Sequence, residues 1–80
     1  MVNDMLPDLF ADTCVYYNGQ RLTEDRHFYD HILHDVPIQV YLASEHCDVG
    51  FISQFCSRYV HIADLRYERD RFTFISRPGY

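Results

Sequence analysis

The chain has no lysine, no tryptophan and only three glycines among its 80 residues. A phosphate-binding loop needs several closely spaced glycines, and Gly19, Gly50 and Gly79 are too far apart to form one. Proteins that bind nucleic acid usually combine lysine and arginine in a basic balance, whereas the formal net charge here is −5. The composition therefore excludes the phosphate-loop motif and disfavours nucleic acid as a partner.

Cysteine is also scarce, and its spacing does not match that of a metal-binding or disulfide motif. Cys14, Cys47 and Cys56 are an odd number with no CxxC pair, which argues against a disulfide framework and for a reducing compartment. The first residues lack a positively charged segment, and no apolar run approaches membrane-spanning length. From these absences we expect a cytoplasmic protein that does not enter a membrane.

Apolar residues make up 48% of the chain, which is enough for one core but not for two. We therefore expect a single domain over residues 1–80. Seven tyrosines and six phenylalanines are more aromatic side chains than so small a core can hide. Some of them should lie at a surface, which leaves self-association open.

Antiparallel strands are predicted over residues 37–77. Four runs rich in β-branched and aromatic residues carry this prediction, and they span 37–43, 49–55, 58–62 and 71–75. Gly50 inside the second run indicates a sharp bend or a close backbone approach. Residues 44–48 read as a polar connection, and residues 63–67 fit either a strand or a helical turn.

A helix is predicted over about 24–34, within a helical region of 23–36 that ends before Pro37. Thr23 is the expected N-cap, because acidic residues follow it in the first turn. On a helical wheel one apolar face forms, which we expect to pack on the sheet; it comprises Phe28, Tyr29, Ile32 and Leu33.

Residues 1–22 should form a short helix over residues 8–14 and then a small hairpin. The hairpin prediction rests on Asn18-Gly19, a pair typical of a type I′ turn, with Cys14–Tyr17 and Gln20–Leu22 as its arms.

The predicted order of elements gives an α+β fold, with one helix packed on a small, strongly bent antiparallel sheet. Over residues 24–75 this order, together with Gly50, also resembles that of small Sm-like and SH3-like β-barrel proteins. The resemblance implies a barrel of four to five strands. It also implies either RNA binding and ring assembly, as in Sm-like proteins, or protein binding, as in SH3-like ones.

Three histidines lie in an i, i+4, i+7 row on the predicted helix: His27, His31 and His34. The row is opposite the predicted apolar face, so we expect it to face solvent. Imidazoles one turn apart can chelate zinc or another transition metal, with further ligands from Asp30, Asp35 or the His46-Cys47 pair. The alternative is a polar helix face that titrates near neutrality. A zincin signature is excluded, because Phe28 stands where that motif needs glutamate.

No catalytic signature is present. Cys47 has His46 beside it, but adjacent residues on a strand point to opposite faces, so the imidazole is poorly placed to activate the thiol. We therefore expect a non-enzymatic protein without a cofactor, unless the histidine row binds zinc.

Arginine and aromatic residues concentrate in the last part of the chain. Residues 57–80 carry a formal charge of +2, whereas residues 1–56 carry −7. Arginine and tyrosine are enriched at the centres of protein interfaces. The candidate partner-binding residues are Arg58, Tyr59, Arg66, Tyr67, Arg69, Arg71 and Arg77. The alternatives are that the aromatics complete the core while the arginines are solvated, or that the same side chains stack on RNA bases.

The sequence thus favours a small binding or regulatory module that acts through protein–protein contacts, with another protein or with a second copy. An acidic, lysine-free chain also fits an inhibitor that occupies a basic site on a larger protein. In that version the contacts would be Asp4, Asp8, Asp12, Glu24, Asp30 and Asp35. The rival hypotheses are a metal-binding protein that uses the histidine row and an Sm-like RNA-binding protein.

Overall fold

A computed structural model describes residues 16–80. These residues form one helix and seven strands: β1 (Arg21–Leu22), α1 (Asp25–Leu33), β2 (Ile38–Leu42), β3 (Glu45–Gly50), β4 (Ile52–Phe55), β5 (Tyr59–Ile62), β6 (Leu65–Glu68) and β7 (Thr73–Ser76). The α+β class is confirmed. The predicted helix over residues 8–14, the first half of the predicted hairpin arm at Cys14–Tyr17, and the acidic residues Asp4, Asp8 and Asp12 lie outside the described residues.

The strands form two antiparallel sheets. The first has the order β1-β7-β2-β3, and the second has the order β4-β5-β6. Within residues 16–80 no pairing joins β6 to β7 or to β1, so these strands do not close into a barrel. The likeness to Sm-like and SH3-like proteins stays a prediction. No helix in this part of the chain is long and apolar enough to cross a bilayer.

One bent segment connects the two sheets. β3 pairs with β2, and β4 pairs with β5 on the other side of Phe51. A Cβ atom on Gly50 would lie 2.9 Å from Cγ2 of Ile62, so the close backbone approach predicted at Gly50 is confirmed. The prediction of a polar connection over residues 44–48 is wrong for residues 45–48, because β3 already begins at Glu45. A tight turn, in which Ala43 has a φ of 57°, lets Leu42 pair with Glu45.

Gly50→Ala should lower the free energy of unfolding by about 1 to 2 kcal/mol, because the new methyl group overlaps Ile62 in a packed region. Urea denaturation would measure the loss. Gly79→Ala is the matched control, since nothing lies within 4 Å of the Cβ it would add. Equal stabilities of the two variants would contradict the close approach.

The core lies between α1 and the inner faces of the two sheets. It consists of Leu22, Phe28, Ile38, Val40, Ile52, Val60, Ile62, Tyr67 and Phe74. The helix reaches it with Phe28, and the other fully buried helix residue is His31. Tyr29 and Leu33 are 56% and 59% exposed, so the predicted apolar face is wrong for these two residues. Ile32 of the predicted face packs against the core, so the inward side of the helix consists of Phe28, His31 and Ile32.

The helix begins with Glu24 as its N-cap, one residue after the predicted Thr23. Glu24 and His27 form a reciprocal capping box, in which the Glu24 side chain accepts from the backbone N–H of His27. In return, Nδ1 of His27 accepts from the N–H groups of Thr23 and Glu24, at 3.0 and 3.1 Å. His27 therefore stabilises the start of the helix.

The turn at Asn18-Gly19 is present but differs from the predicted type. Only Gly19 has a positive φ, of 98°, whereas a type I′ turn needs positive φ at both central residues. The arm after the turn pairs with β7, where Arg21 lies opposite Ile75 and Leu22 opposite Phe74. Arg21 and Leu22 therefore have a long-range partner, and the pairing of this arm with Cys14–Tyr17 lies partly outside the described residues.

Candidate protein-binding surface

The histidine row does not face solvent as a whole. His31 is 1% exposed, and both of its ring nitrogens are engaged inside the fold. Its Nδ1 lies 2.7 Å from the carbonyl oxygen of His27, and its Nε2 lies 2.7 Å from Oγ of Ser76. Because a carbonyl oxygen can only accept, Nδ1 carries the proton and Nε2 accepts from the Ser76 hydroxyl. The expectation of a solvent-facing stripe is wrong at His31.

The other two histidines of the row have separate environments. His27 is part of the capping box, and His34 is half-buried as the C-cap of α1. Within residues 16–80 no group of three or more His, Cys, Asp or Glu side chains is arranged to hold a metal ion. Metal binding by His27, His31 and His34 stays a prediction, and it would require one of the two hydrogen bonds of the His31 ring to break.

The His31–Ser76 pair has the hydrogen bond of a base and a nucleophile, but Ser76 is 0% exposed and offers a substrate no access. The pair instead ties α1 to β7. Burial lowers the pKa of His31 below its ordinary value of 6.5, and this effect outweighs the raising effects of the His27 carbonyl and of Asp30. The ring edge of Tyr16 packs against the imidazole, with 4.5 Å between ring centroids.

We expect stability to fall between pH 7.5 and pH 5.5. Burial lowers the pKa of His31 in the folded protein, so the unfolded state binds more protons than the folded state and is favoured as the pH falls through about 6.5. The loss from this one group is at most about 1.4 kcal/mol over these two pH units. Denaturant titrations of the wild type and His31→Gln would isolate it from the four other histidines. Parallel pH profiles for the two proteins would contradict the buried neutral imidazole.

Two of the seven predicted partner-binding residues face inward. Tyr67 is 9% exposed, and its hydroxyl donates to Oδ2 of Asp48 at 2.5 Å. Burial is the larger cause and this hydrogen bond the smaller one of a rise in the pKa of Tyr67 to about 12. Arg69 lies 4.7 Å from the ring centroid of Phe28. Its Nη1 donates to Asp25 and to the Cys56 carbonyl, each at 2.7 Å. Both side chains therefore hold the fold together.

Two more of the arginines lie apart from each other. Arg77 donates from Nε to Oε1 of Gln39 on the first sheet. Arg71 is exposed in the turn before β7 and pairs loosely with Glu68, with 3.4 Å between Nη1 and Oε1. An ion pair this exposed contributes little to stability.

The remaining three residues form one outward-facing group, the Arg58–Tyr59–Arg66 cluster. The guanidinium carbons of Arg58 and Arg66 lie 5.7 and 4.7 Å from the centroid of the Tyr59 ring. Strand alternation explains the grouping, because Val60 and Tyr67 point into the core while Tyr59 and Arg66 point outward. The cluster thus presents two cations against one aromatic ring on the outer face of the second sheet.

His61 belongs to the same face, and sequence reasoning missed it. It lies directly opposite Arg66 in the β5–β6 pairing, and its ring centroid is 6.4 Å from that of Tyr59. The signal was available, since His61 is two residues from Tyr59 on one strand and therefore shares its face.

A cleft of about 230 Å³ opens at the end of this face. It is lined by Ser57, Arg58, Glu68, Arg69 and Asp70, so its charges are mixed. Among the described acidic residues of the inhibitor hypothesis, two form hydrogen bonds within the fold, whereas Asp35 is exposed. Glu24 caps α1, and Asp30 accepts a 2.8 Å hydrogen bond from the Tyr16 hydroxyl.

Comparisons with protein-family models, with curated proteins and with solved structures found no match to this chain.

Proposed function

We propose that this protein is a non-enzymatic binding module that docks an acidic segment of a protein partner on the Arg58–Tyr59–Arg66 cluster. The observation that carries the proposal is the placement of two exposed guanidinium groups against one tyrosine ring. Within residues 16–80 neither arginine forms an ion pair with a carboxylate. Their positive charge is therefore directed at solvent rather than at a described acidic neighbour.

The chemistry of arginine favours a carboxylate ligand. A planar guanidinium matches a carboxylate through two parallel hydrogen bonds, and stacking on tyrosine reduces the side-chain freedom that binding would otherwise cost. The two ring distances put the guanidinium carbons at most about 10 Å apart. Acidic side chains two residues apart on an extended strand are separated by about 7 Å, which fits that limit.

The charge distribution supports the same partner. Residues 57–80 carry +2 while residues 1–56 carry −7, so the segment that holds the cluster is the one whose net charge attracts an acidic protein. Attraction is confined to the part of the surface with the arginines, which orients the approach and selects the docking face.

Reversing both charges of the cluster should weaken binding of an acidic probe by at least about tenfold. The probe is a fluorescein-labelled peptide that alternates glutamate and valine, and fluorescence anisotropy at low salt measures its affinity. The test variant is Arg58→Glu/Arg66→Glu. The matched control is Arg21→Glu/Arg26→Glu, which changes the net charge equally at exposed arginines on β1 and α1 and should retain the affinity.

Two results would overturn the proposal. One is equal weakening in both double variants, which would reduce the effect to net charge. The other is that the acidic peptide fails to bind while single-stranded RNA binds in a salt-sensitive way through Arg58 and Arg66, which would support the Sm-like alternative.

A further inference from the structure

The second sheet has an edge next to the Arg58–Tyr59–Arg66 cluster. β5 pairs with β4 on one side and with β6 on the other. Within residues 16–80 no strand pairs with the outer side of β6. An edge strand presents backbone N–H and C=O groups that another extended chain can pair with.

The hydrogen bonds of the sheet show which groups point to that edge. The N–H of Arg69 donates to the carbonyl of Arg58 at 2.8 Å, so these residues form a hydrogen-bonded pair. Bonded and non-bonded pairs alternate along an antiparallel ladder, so Tyr67 is bonded to Val60, while Arg66 and Glu68 direct their backbone groups outward.

One of these outward groups is already used. The carbonyl of Glu68 accepts from the N–H groups of Arg71 and Phe72, at 3.2 and 3.1 Å. Three groups then remain at the edge without a partner among residues 16–80: the N–H and C=O of Arg66 and the N–H of Glu68. The edge is short, so it suits a segment that pairs over three or four residues.

The side chains at this edge have a specific chemistry. Arg66 points to the outer face, where it lies against Tyr59. Leu65 is 57% exposed, although it lies opposite the buried Ile62. On the outer face an added strand would therefore find Arg66 and, two residues further on, Glu68, whose carboxylate is paired with Arg71. On the other face it would find an apolar surface.

We propose that the partner's acidic segment binds as an added strand on the outer edge of β6. An acidic residue would lie opposite Arg66, about 5 Å away between Cβ atoms, and its apolar neighbour in the segment would pack beside Leu65. The proposal rests on the proposed function and specifies how that partner binds. The ligand class is an extended protein segment in which acidic and apolar residues alternate.

Amide hydrogen exchange on the ¹⁵N-labelled full chain tests the pairing, with the glutamate–valine peptide as the probe. On saturation the Glu68 and Arg66 amides should become at least about tenfold more protected. The Tyr67 amide should stay unchanged, because it is already bonded to β5. Protection of the Arg66 and Glu68 amides in the protein alone would overturn the proposal, because the edge would already be occupied.

Backbone methylation of the peptide gives a second test that leaves the protein unaltered. N-methyl groups on alternate residues remove every N–H that points to one side of a strand. Methylation in the register that faces β6 should weaken binding at least about tenfold, whereas methylation in the other register should have little effect. Equal affinities for the two methylated peptides would overturn strand addition.

A peptide with glutamine in place of glutamate separates this proposal from the proposed function. If it binds as well as the acidic peptide and protects the same amides, strand addition holds and the acidic-partner function fails. If the acidic peptide binds through Arg58 and Arg66 without protecting the amides, the acidic-partner function holds and strand addition is overturned.

Discussion

Phe28→Ala should lower the free energy of unfolding by about 3 to 5 kcal/mol, the range for removing a fully buried phenylalanine. Phe28 is 1% exposed, and its ring meets those of Phe74 and Phe55 at 5.5 and 5.8 Å between centroids. Arg69 covers the ring from the side of the second sheet. Removing the ring therefore leaves a cavity where the helix and both sheets meet. Because the whole stability of a small domain is about 5 to 15 kcal/mol, this loss would be a large part of it.

Tyr29→Ala is the control for that experiment. Tyr29 is the next residue of the same helix, is also aromatic and is 56% exposed, so its removal should change stability by less than about 0.5 kcal/mol. Urea denaturation of the two variants would compare them directly. Similar losses for the two variants would mean that Tyr29 is buried beside Phe28, as the helical wheel predicts.

The elements that the sequence predicts best depend on local signals. The predicted helix at 24–34 is observed at Asp25–Leu33, because acidic residues favour its start and Pro37 restricts its end. The predicted run at 58–62 is observed at Tyr59–Ile62. The close approach predicted at Gly50 is also observed. Glycine is unfavourable inside a strand, so its presence there usually indicates a close approach or a bend.

The errors come from partners that are distant in the sequence. A helical wheel ranks faces by apolarity, so it cannot include Ser76, which lies 45 residues from His31 and makes burial of the imidazole possible. Glu45 to Asp48 contain no apolar pattern, yet they extend β3 because β2 supplies the backbone partners. In both cases polar residues occupy positions, the buried side of a helix and a strand, where a pattern of apolar residues would not place them.

The sequence also does not show which arginines of the candidate surface are exposed. Arg66 and Arg69 are three residues apart and chemically identical, yet Arg66 faces solvent while the side chain of Arg69 is only 16% exposed. The difference arises because β6 ends at Glu68 and the following turn brings Arg69 over Phe28. A variant of Arg69 would therefore test folding rather than binding, which is why the binding experiment uses Arg58 and Arg66.

His31→Leu should cost about 2 to 3 kcal/mol, because it leaves the buried hydroxyl of Ser76 without its acceptor. Ser76→Ala alone should cost less, about 1 to 2 kcal/mol, since it leaves only the lone pair of Nε2 unpaired. The double variant His31→Leu/Ser76→Ala removes both polar groups together and should recover most of the loss, because two apolar groups replace a matched pair. Denaturant unfolding at pH 7 closes this double-mutant cycle. Additive losses would mean that the two side chains act independently and that the His31–Ser76 bond does not fix α1 on β7.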